Sequence, residues 1–309
     1  MRDMRQSEER YISLLTDFGF KRIFGTAPNK DLLINFLNSL FGKEQVIMDV
    51  KFLNSENVGD VYTDRKAIFD VYCENEHGEK FIVEMQNAYQ KHFKDRSLYY
   101  STFPIKEQAP KGADWDFSLA HVYVVALLNF DMHDDAFDEY SISHDVGLLD
   151  KQTKRVFNDK LTFKYVEIAK FDKPLGRLRT VYDKWLYALK NLPRLTDRPK
   201  ELRDRVFDRL FEEAEIARFS TQELKEYEDS LKAYRDIKNS LDTAMEQGFE
   251  KGREVGREAG LAEGRAEGRA EGITSQRLET ARSMLADGLP LEKIMRYTGL
   301  SKEEIGKLK

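Results

Sequence analysis

Two carboxylates and an amide, Asp70, Glu84 and Gln86, are the residues whose types and spacing suggest chemistry. Asp70 lies in AIFDVYC and the other two in FIVEMQ, apolar runs rich in β-branched and aromatic residues and separated by ENEHGE, whose Asn75 and Gly78 favour a turn. Ala67 to Gln86 therefore reads as a β-hairpin. Facing positions of an antiparallel hairpin are equidistant from the turn centre, and Asp70 and Glu84 are equidistant from His77, so they oppose each other. Side chains alternate across a strand, which puts Ile68, Asp70 and Tyr72 on one face and Ile82, Glu84 and Gln86 on the matching one.

Like charges directly opposite destabilise a strand pair. On strands this apolar the arrangement persists if a cation sits between the carboxylates, if a basic side chain such as Lys66 or Lys80 neutralises them, or if one acid stays protonated. A register shifted by one, with the acids solvated on an edge, is the remaining option. Oxygen-only ligands suit a hard divalent ion, Mg²⁺ or Mn²⁺, which takes one or two carboxylates and keeps water and substrate phosphate in its other positions. Phosphodiester hydrolysis follows from such a site, with Gln86, one pleat beyond Glu84, orienting the water.

The elements that must position these residues are legible on either side. TDFGFKRIFGTAPNKDLLINFLNSLFG has apolar residues at helical spacing broken at Gly25 and Pro28, which predicts two helices. VIMDVKFLN has strand character, AYQKHFKDRSLYYSTFPI predicts a helix ending near Pro104, LAHVYVVALLNF a central strand, and FKYVEIAKF a further strand. From Leu175 to about Gln247 the chain is helix-forming, highly charged and without a chemical motif. The expected fold is α/β, a mixed sheet with the hairpin at its heart, helices on both faces and a mostly helical C-terminal extension.

The order of an acidic strand, a hairpin and E-x-Q resembles the PD-(D/E)XK nuclease superfamily, and within it the Rpn family of recombination-promoting nucleases and transposases. TDFGFKRIFG with LLINFLNSLFG is similar to that family's opening helices, RKAIFDVYCENEHGEKFIVEMQ to its metal-binding hairpin, RSLYYSTF to the helix that follows, and FKYVEIAKF to a later strand. The resemblance spans Ser13 to about Leu192 and implies a restriction-endonuclease-like fold, a Mg²⁺- or Mn²⁺-dependent deoxyribonuclease and DNA as partner, with Asp70 and Glu84 as metal ligands. Gln86 stands where the broader superfamily has a lysine, and a neutral amide only donates and accepts hydrogen bonds. Lys21 is a candidate substitute, and Asp17, one turn before it, is either its ion-pair partner or an accessory acid. Arg96 with Tyr99 or Tyr100 shares a helix face that either contacts DNA backbone or packs in the core. The rival reading is a non-catalytic DNA-binding or assembly module that keeps a nuclease-like fold.

Charge and composition narrow the setting. Fifty Lys+Arg against 55 Asp+Glu give the 309-residue chain a net charge of -5, so no chain-wide basic field holds nucleic acid. A single cysteine excludes an intramolecular disulfide and, with five histidines, a Cys/His zinc cluster, and it points to a reducing cytoplasm. Neither a signal sequence nor a membrane span is expected, and no small-molecule cofactor.

The expected organisation is a nuclease-like domain over 1–195, a helical extension over 196–247, an oligomerisation tract over 248–273 and a small helical tail over 274–309. In the tract, glycine recurs every fourth position from Gly248 to Gly272 among Arg, Glu and Ala, which gives either a smooth stripe suited to self-association through 248–272, the preferred reading, or a frayed, charged linker. The tail predicts three short helices. Its Glu292 to Ile305 segment resembles a helix-turn-helix with a reader helix from about Ser301, but the start Lys302, Glu303, Glu304 is more negative than positive, which favours a structural cap.

Overall fold

The computed structural model describes residues 9–57, 67–109 and 115–308. The two expected opening helices form as α1 (Asp17–Phe24) and α2 (Lys30–Phe41). Thr16 caps α1 by accepting the Gly19 N–H, and a Cβ at Gly19 would lie 2.1 Å from the Ser13 carbonyl oxygen. Only glycine allows that approach, and it seats the helix that carries Asp17 and Lys21.

One six-stranded sheet organises the rest. Its strands are β1 (Val50–Phe52), β4 (Val71–Asn75), β5 (Lys80–Gln86), β6 (Val122–Leu128), β7 (Ser143–Leu149) and β8 (Val156–Glu167), in the order β1-β4-β5-β6-β8-β7. A separate two-stranded ladder joins β2 (Glu56–Asn57) to β3 (Ala67–Ile68). β4 and β5 pair antiparallel with Val71 opposite Val83 and Glu74 opposite Lys80, the expected register. β5, β6 and β8 then run parallel, with α3 (Phe93–Glu107) in the connection from β5 to β6. This mixed sheet with helices and a helical C-terminal region is a restriction-endonuclease-like fold.

The sheet separates two apolar layers. Val83 and Met85 of β5 and Val125 and Leu127 of β6 join α1, α2, α4 (Val181–Asn191) and α5 (Arg205–Ala214) in the larger cluster. Ile82, Val124, Ala126 and Leu128 face the other way, against Phe93 of α3. Every residue of β6 is buried, as a central strand requires.

Four details depart from the sequence reading. The run AIFDVYC is not one strand: Ala67–Ile68 pair elsewhere, the chain bends at Asp70, and the ladder with β5 starts at Val71. The bend is held by bonds between backbone and side chain: Glu84 accepts the Asp70 N–H at 3.2 Å, and Asp70 accepts the Met85 N–H at 2.8 Å. α3 continues through Pro104 to Glu107, although a proline inside a helix forfeits one backbone bond. β7 was not expected. It is an edge strand of sequence SHDVGLL, mostly solvated, so its pattern lacks an apolar face.

The fourth departure concerns the helical region. Two compact units are present, Met1–Leu241 and Asp242–Lys309. The first extends well past 195: Tyr227 accepts the Ser13 N–H at 3.1 Å and Ser230 the Phe18 N–H at 3.0 Å, both from α6 (Thr221–Ala286). α6 is one helix of 66 residues that carries the whole glycine tract and continues past 274. The three tail helices are the end of α6, α7 (Leu291–Thr298) and α8 (Lys302–Gly306), joined around Ala281, Ile294, Leu300 and Ile305. Among the described residues no helix is long and apolar enough to cross a membrane.

Trp185 of α4 locks the larger layer. It is fully buried, with ring centroids 4.9 Å from Phe207, 5.5 Å from Phe24 and 5.8 Å from Phe36, and its Nε1 donates to Asn35 Oδ1 at 2.8 Å. Trp185→Ala should lower the unfolding free energy by about 3–5 kcal/mol in urea titrations, and Trp185→Phe by less.

Candidate active site

β5 carries Glu84 and Gln86 to its carboxyl end on the face opposite Val83 and Met85, and the bend before β4 brings Asp70 alongside. The first two side chains touch: Gln86 Nε2 donates to Glu84 Oε2 at 3.3 Å. Glu84 is 4 % exposed and Gln86 9 %. α1 approaches from one side with Lys21 and Asp17, whose ion pair at 2.7 Å spans one helical turn. α3 approaches from the other with Arg96, whose Nη2 lies 3.6 Å from Glu84 Oε2.

The sequence offered three ways to make the acids tolerable, and the structure distributes the task. Lys80 pairs with Glu74, so it is not their counter-ion, and Lys66 lies outside the described residues. Arg96 is the basic group that reaches Glu84. Even so, the Glu84 carboxyl is pushed up to about 8, first by burial and then by the charge of Asp70; the charge of Arg96, the Asp70 N–H and the charge of Lys21 offset this only in part. Burial also raises Asp70, against the Met85 N–H and the charge of Lys21, with Asp17 adding to the rise. Burial lowers Lys21, but the hydrogen bond to Asp17 and the charges of Asp17, Asp70 and Glu84 outweigh it and hold the ammonium above its ordinary range.

A cleft of about 660 Å³ opens beside Asp70, lined by Asp17, Phe18, Lys21, Glu223 and Ser230 among others. Glu223 and Ser230 come from α6, in a stretch whose sequence showed no chemical motif. Glu223 pairs with Arg22 and accepts the Ser220 N–H, local roles that a sequence does not expose. Tyr100 stacks edge-on to Phe69 at 5.2 Å and lies 5.2 Å from the Arg96 guanidinium, whereas Tyr99 is 43 % exposed. The expected helix face is thus divided: Tyr100 supports Arg96, and Tyr99 is turned toward solvent.

A second buried acid was missed. Glu167 closes β8 in register with Leu128 and Gln86, fully buried, and accepts from Met132 N–H at 2.8 Å and Lys170 Nζ at 3.1 Å while bonding His144 Nε2 at 3.0 Å. The glutamate inside the apolar run KYVEIA was the available signal. Its oxygens are engaged, so it fixes the 131–144 connection to the sheet.

Asp70 and Glu84 offer carboxylate oxygens alone, linked by two backbone bonds, in a place where burial leaves negative charge incompletely balanced. That set suits a hard ion needing one or two carboxylates. Among the described residues no group of three or more His, Cys, Asp or Glu side chains is arranged as a metal cage, so water and substrate would have to complete the coordination.

The raised Glu84 pKa has a stability consequence in protein free of divalent cations. An acid whose folded value lies above its unfolded value stabilises the fold fully below the unfolded value, and that contribution is lost as pH rises through the folded one. Glu84→Gln should therefore become steadily more stable than wild type between about pH 5 and pH 8, by about 1–3 kcal/mol at the upper end, measured as Tm against pH. A constant difference across that range would show that Glu84 does not titrate there.

Comparison with known families identifies both regions of the chain. A family described as PD-(D/E)XK nuclease family transposase matches residues 14–244, and one described as the Rpn/YhgA-like nuclease family, C-terminal HTH domain, matches residues 274–309. No curated protein and no solved structure matches the chain. The second match supports the helix-turn-helix reading of the tail. Glu304, counted against DNA approach, forms a capping box with Ser301 and accepts its N–H at 2.7 Å, so that carboxylate is occupied in starting α8. With its mixed sheet, its hairpin and both matches, the chain belongs to the Rpn-type PD-(D/E)XK nuclease family of transposases.

Proposed function

We propose that the protein is a divalent-metal-dependent DNA endonuclease acting in recombination or transposition, with Asp70 and Glu84 as metal ligands and Gln86 orienting the hydrolytic water. The observation that carries this reading is the convergence of the two acids at the end of β5, joined to each other by backbone bonds and to Gln86 by a side-chain bond. Mg²⁺ or Mn²⁺, when bound, would polarise the phosphoryl group and lower the pKa of a bound water. Gln86 can pass its amide from Glu84 to that water. Lys21, beside Asp70 in the cleft, supplies the positive charge that E-x-Q lacks, and Asp17 keeps it protonated. On α3, Arg96 backed by Tyr100 and the separately exposed Tyr99 are the groups that meet DNA backbone.

The C-terminal helix-turn-helix supports DNA binding, with α8 as the reader. The glycine tract brings two copies together, so that two active sites can reach both strands of one duplex. A Cβ at any glycine from Gly248 to Gly272 would meet nothing within 4 Å, which leaves that surface open for a second copy. The single buried Cys73 suits a reducing cytoplasm.

Plasmid nicking tests the chemistry. Purified protein should nick supercoiled DNA with Mg²⁺ or Mn²⁺ and stop when the ion is chelated, and Asp70→Ala or Glu84→Ala should reduce the rate by about 100-fold or more with unchanged circular dichroism. Wild type that cleaves no DNA with any divalent ion would favour the non-catalytic module instead. Self-association has its own test: replacing Gly256, Gly260 and Gly264 together by Gln should raise helicity, because each glycine costs a helix about 1 kcal/mol, yet shift the sedimenting species to monomer. An unchanged sedimentation coefficient would remove the tract from assembly.

A further inference from the structure

Arg96 is poorly satisfied for a cation in its position. Its Nη1 donates to Gln90 Oε1 at 2.7 Å and its Nη2 lies 3.6 Å from Glu84 Oε2, an ion pair too long for a good hydrogen bond. Its Nε is buried with no partner among the described residues. Rings flank the guanidinium, Tyr100 at 5.2 Å and Phe93 at 5.7 Å, and the side chain remains 30 % exposed. An arginine kept only to fix Glu84 would present its fork to both carboxylate oxygens, the geometry in which guanidinium and carboxylate bind most strongly.

Charge balance explains the loose fit. With every group ionised, the charges that act directly on the two acids, Asp17, Asp70 and Glu84 against Lys21 and Arg96, leave one excess negative charge around them. A divalent cation on the two acids turns this into one excess positive charge, which matches one phosphodiester. Arg96 cannot leave by losing its proton, since guanidinium stays charged at any working pH. It must move or stay as a surplus cation.

We propose that Arg96 has two positions: it is paired with Glu84 while the acids hold no metal, and it turns along the Tyr100 ring to grip substrate phosphate when they do. This rests on the nuclease reading and assigns the order of events within it. The turned guanidinium gives Nε and Nη2 the paired acceptors that they lack beside Glu84, and a phosphate offers two oxygens in the matching plane. The stack on Tyr100 keeps the cation partly desolvated during the move. Arg96 is then a competitor of the metal in the DNA-free protein and an ally of it in the DNA complex.

Those two roles have opposite signs, which makes them separable. Mn²⁺ binding to full-length protein without DNA, read by electron paramagnetic resonance, should tighten about 5- to 10-fold in Arg96→Gln because the resident counter-ion is gone. Binding of a DNA duplex in Ca²⁺, read by fluorescence anisotropy, should weaken about 10-fold in the same variant. Arg96→Lys, which keeps the charge without the fork, should leave Mn²⁺ affinity near wild type and still lose DNA affinity. Mn²⁺ affinity unchanged or weaker in Arg96→Gln would overturn the proposal and make Arg96 a positioning residue for Glu84, and so would unchanged DNA affinity in both variants. If wild type binds no Mn²⁺ that Glu84→Ala removes, the metal-ligand reading of the acids fails as well.

Discussion

Everything at the candidate site turns on the difficulty of placing two carboxylates side by side in a largely apolar setting. Burial penalises each charge and proximity penalises both together, so Glu84 is held far above its ordinary carboxylate range. The fold does not remove that penalty; it spreads it over backbone N–H groups at Asp70 and Met85, the guanidinium of Arg96 and the more distant ammonium of Lys21. None of these compensates fully. A site left short of positive charge, with oxygen donors already converged, has the chemistry that the proposed divalent cation would complete.

The scaffold brings these groups together from elements far apart in sequence. The bend before β4 and the end of β5 supply the acids, α1 the lysine from one side and α3 the arginine from the other, and the sheet between the helices holds the spacing. Gly19 lets α1 approach the Ser13 turn, and the start of α6 ties that same turn through Tyr227 and Ser230. The helical extension is therefore part of the nuclease unit for its first turns and contributes Glu223 to the cleft wall. On the far side of the sheet end, Glu167 anchors the connection after β6 by the same means used at the site, a buried carboxylate engaged by neighbouring donors.

The C-terminal region follows a different logic. Seven glycines at four-residue spacing drift by about 40° per step around a helix of 3.6 residues per turn, so they wind across its surface instead of marking one straight seam. Arg and Glu neighbours are spaced similarly, which puts like charges at i,i+4, an unfavourable arrangement within one helix. Helicity there depends on length and context more than on intrinsic preference. The small three-helix cluster beyond it closes on Ile294 and Ile305, a modest core in keeping with its size.

The sequence by itself determined the hairpin register, the opposed acids, the paired helices ahead of them and the buried central strand, because each is written in a local period or an equal distance from a turn. It also carried the resemblance of the tail to a helix-turn-helix, while the engagement of Glu304 in the capping box of α8 became visible only in the structure. Only the tertiary structure decided that Arg96 and not Lys80 answers Glu84, that the strand breaks at Asp70, that an edge strand flanks β8 and that α6 helps to wall the cleft. The physical reason is common to all four. Which cation meets a buried acid, and where a ladder stops, depend on side chains brought together through space from distant positions, and no periodicity along the chain encodes that meeting.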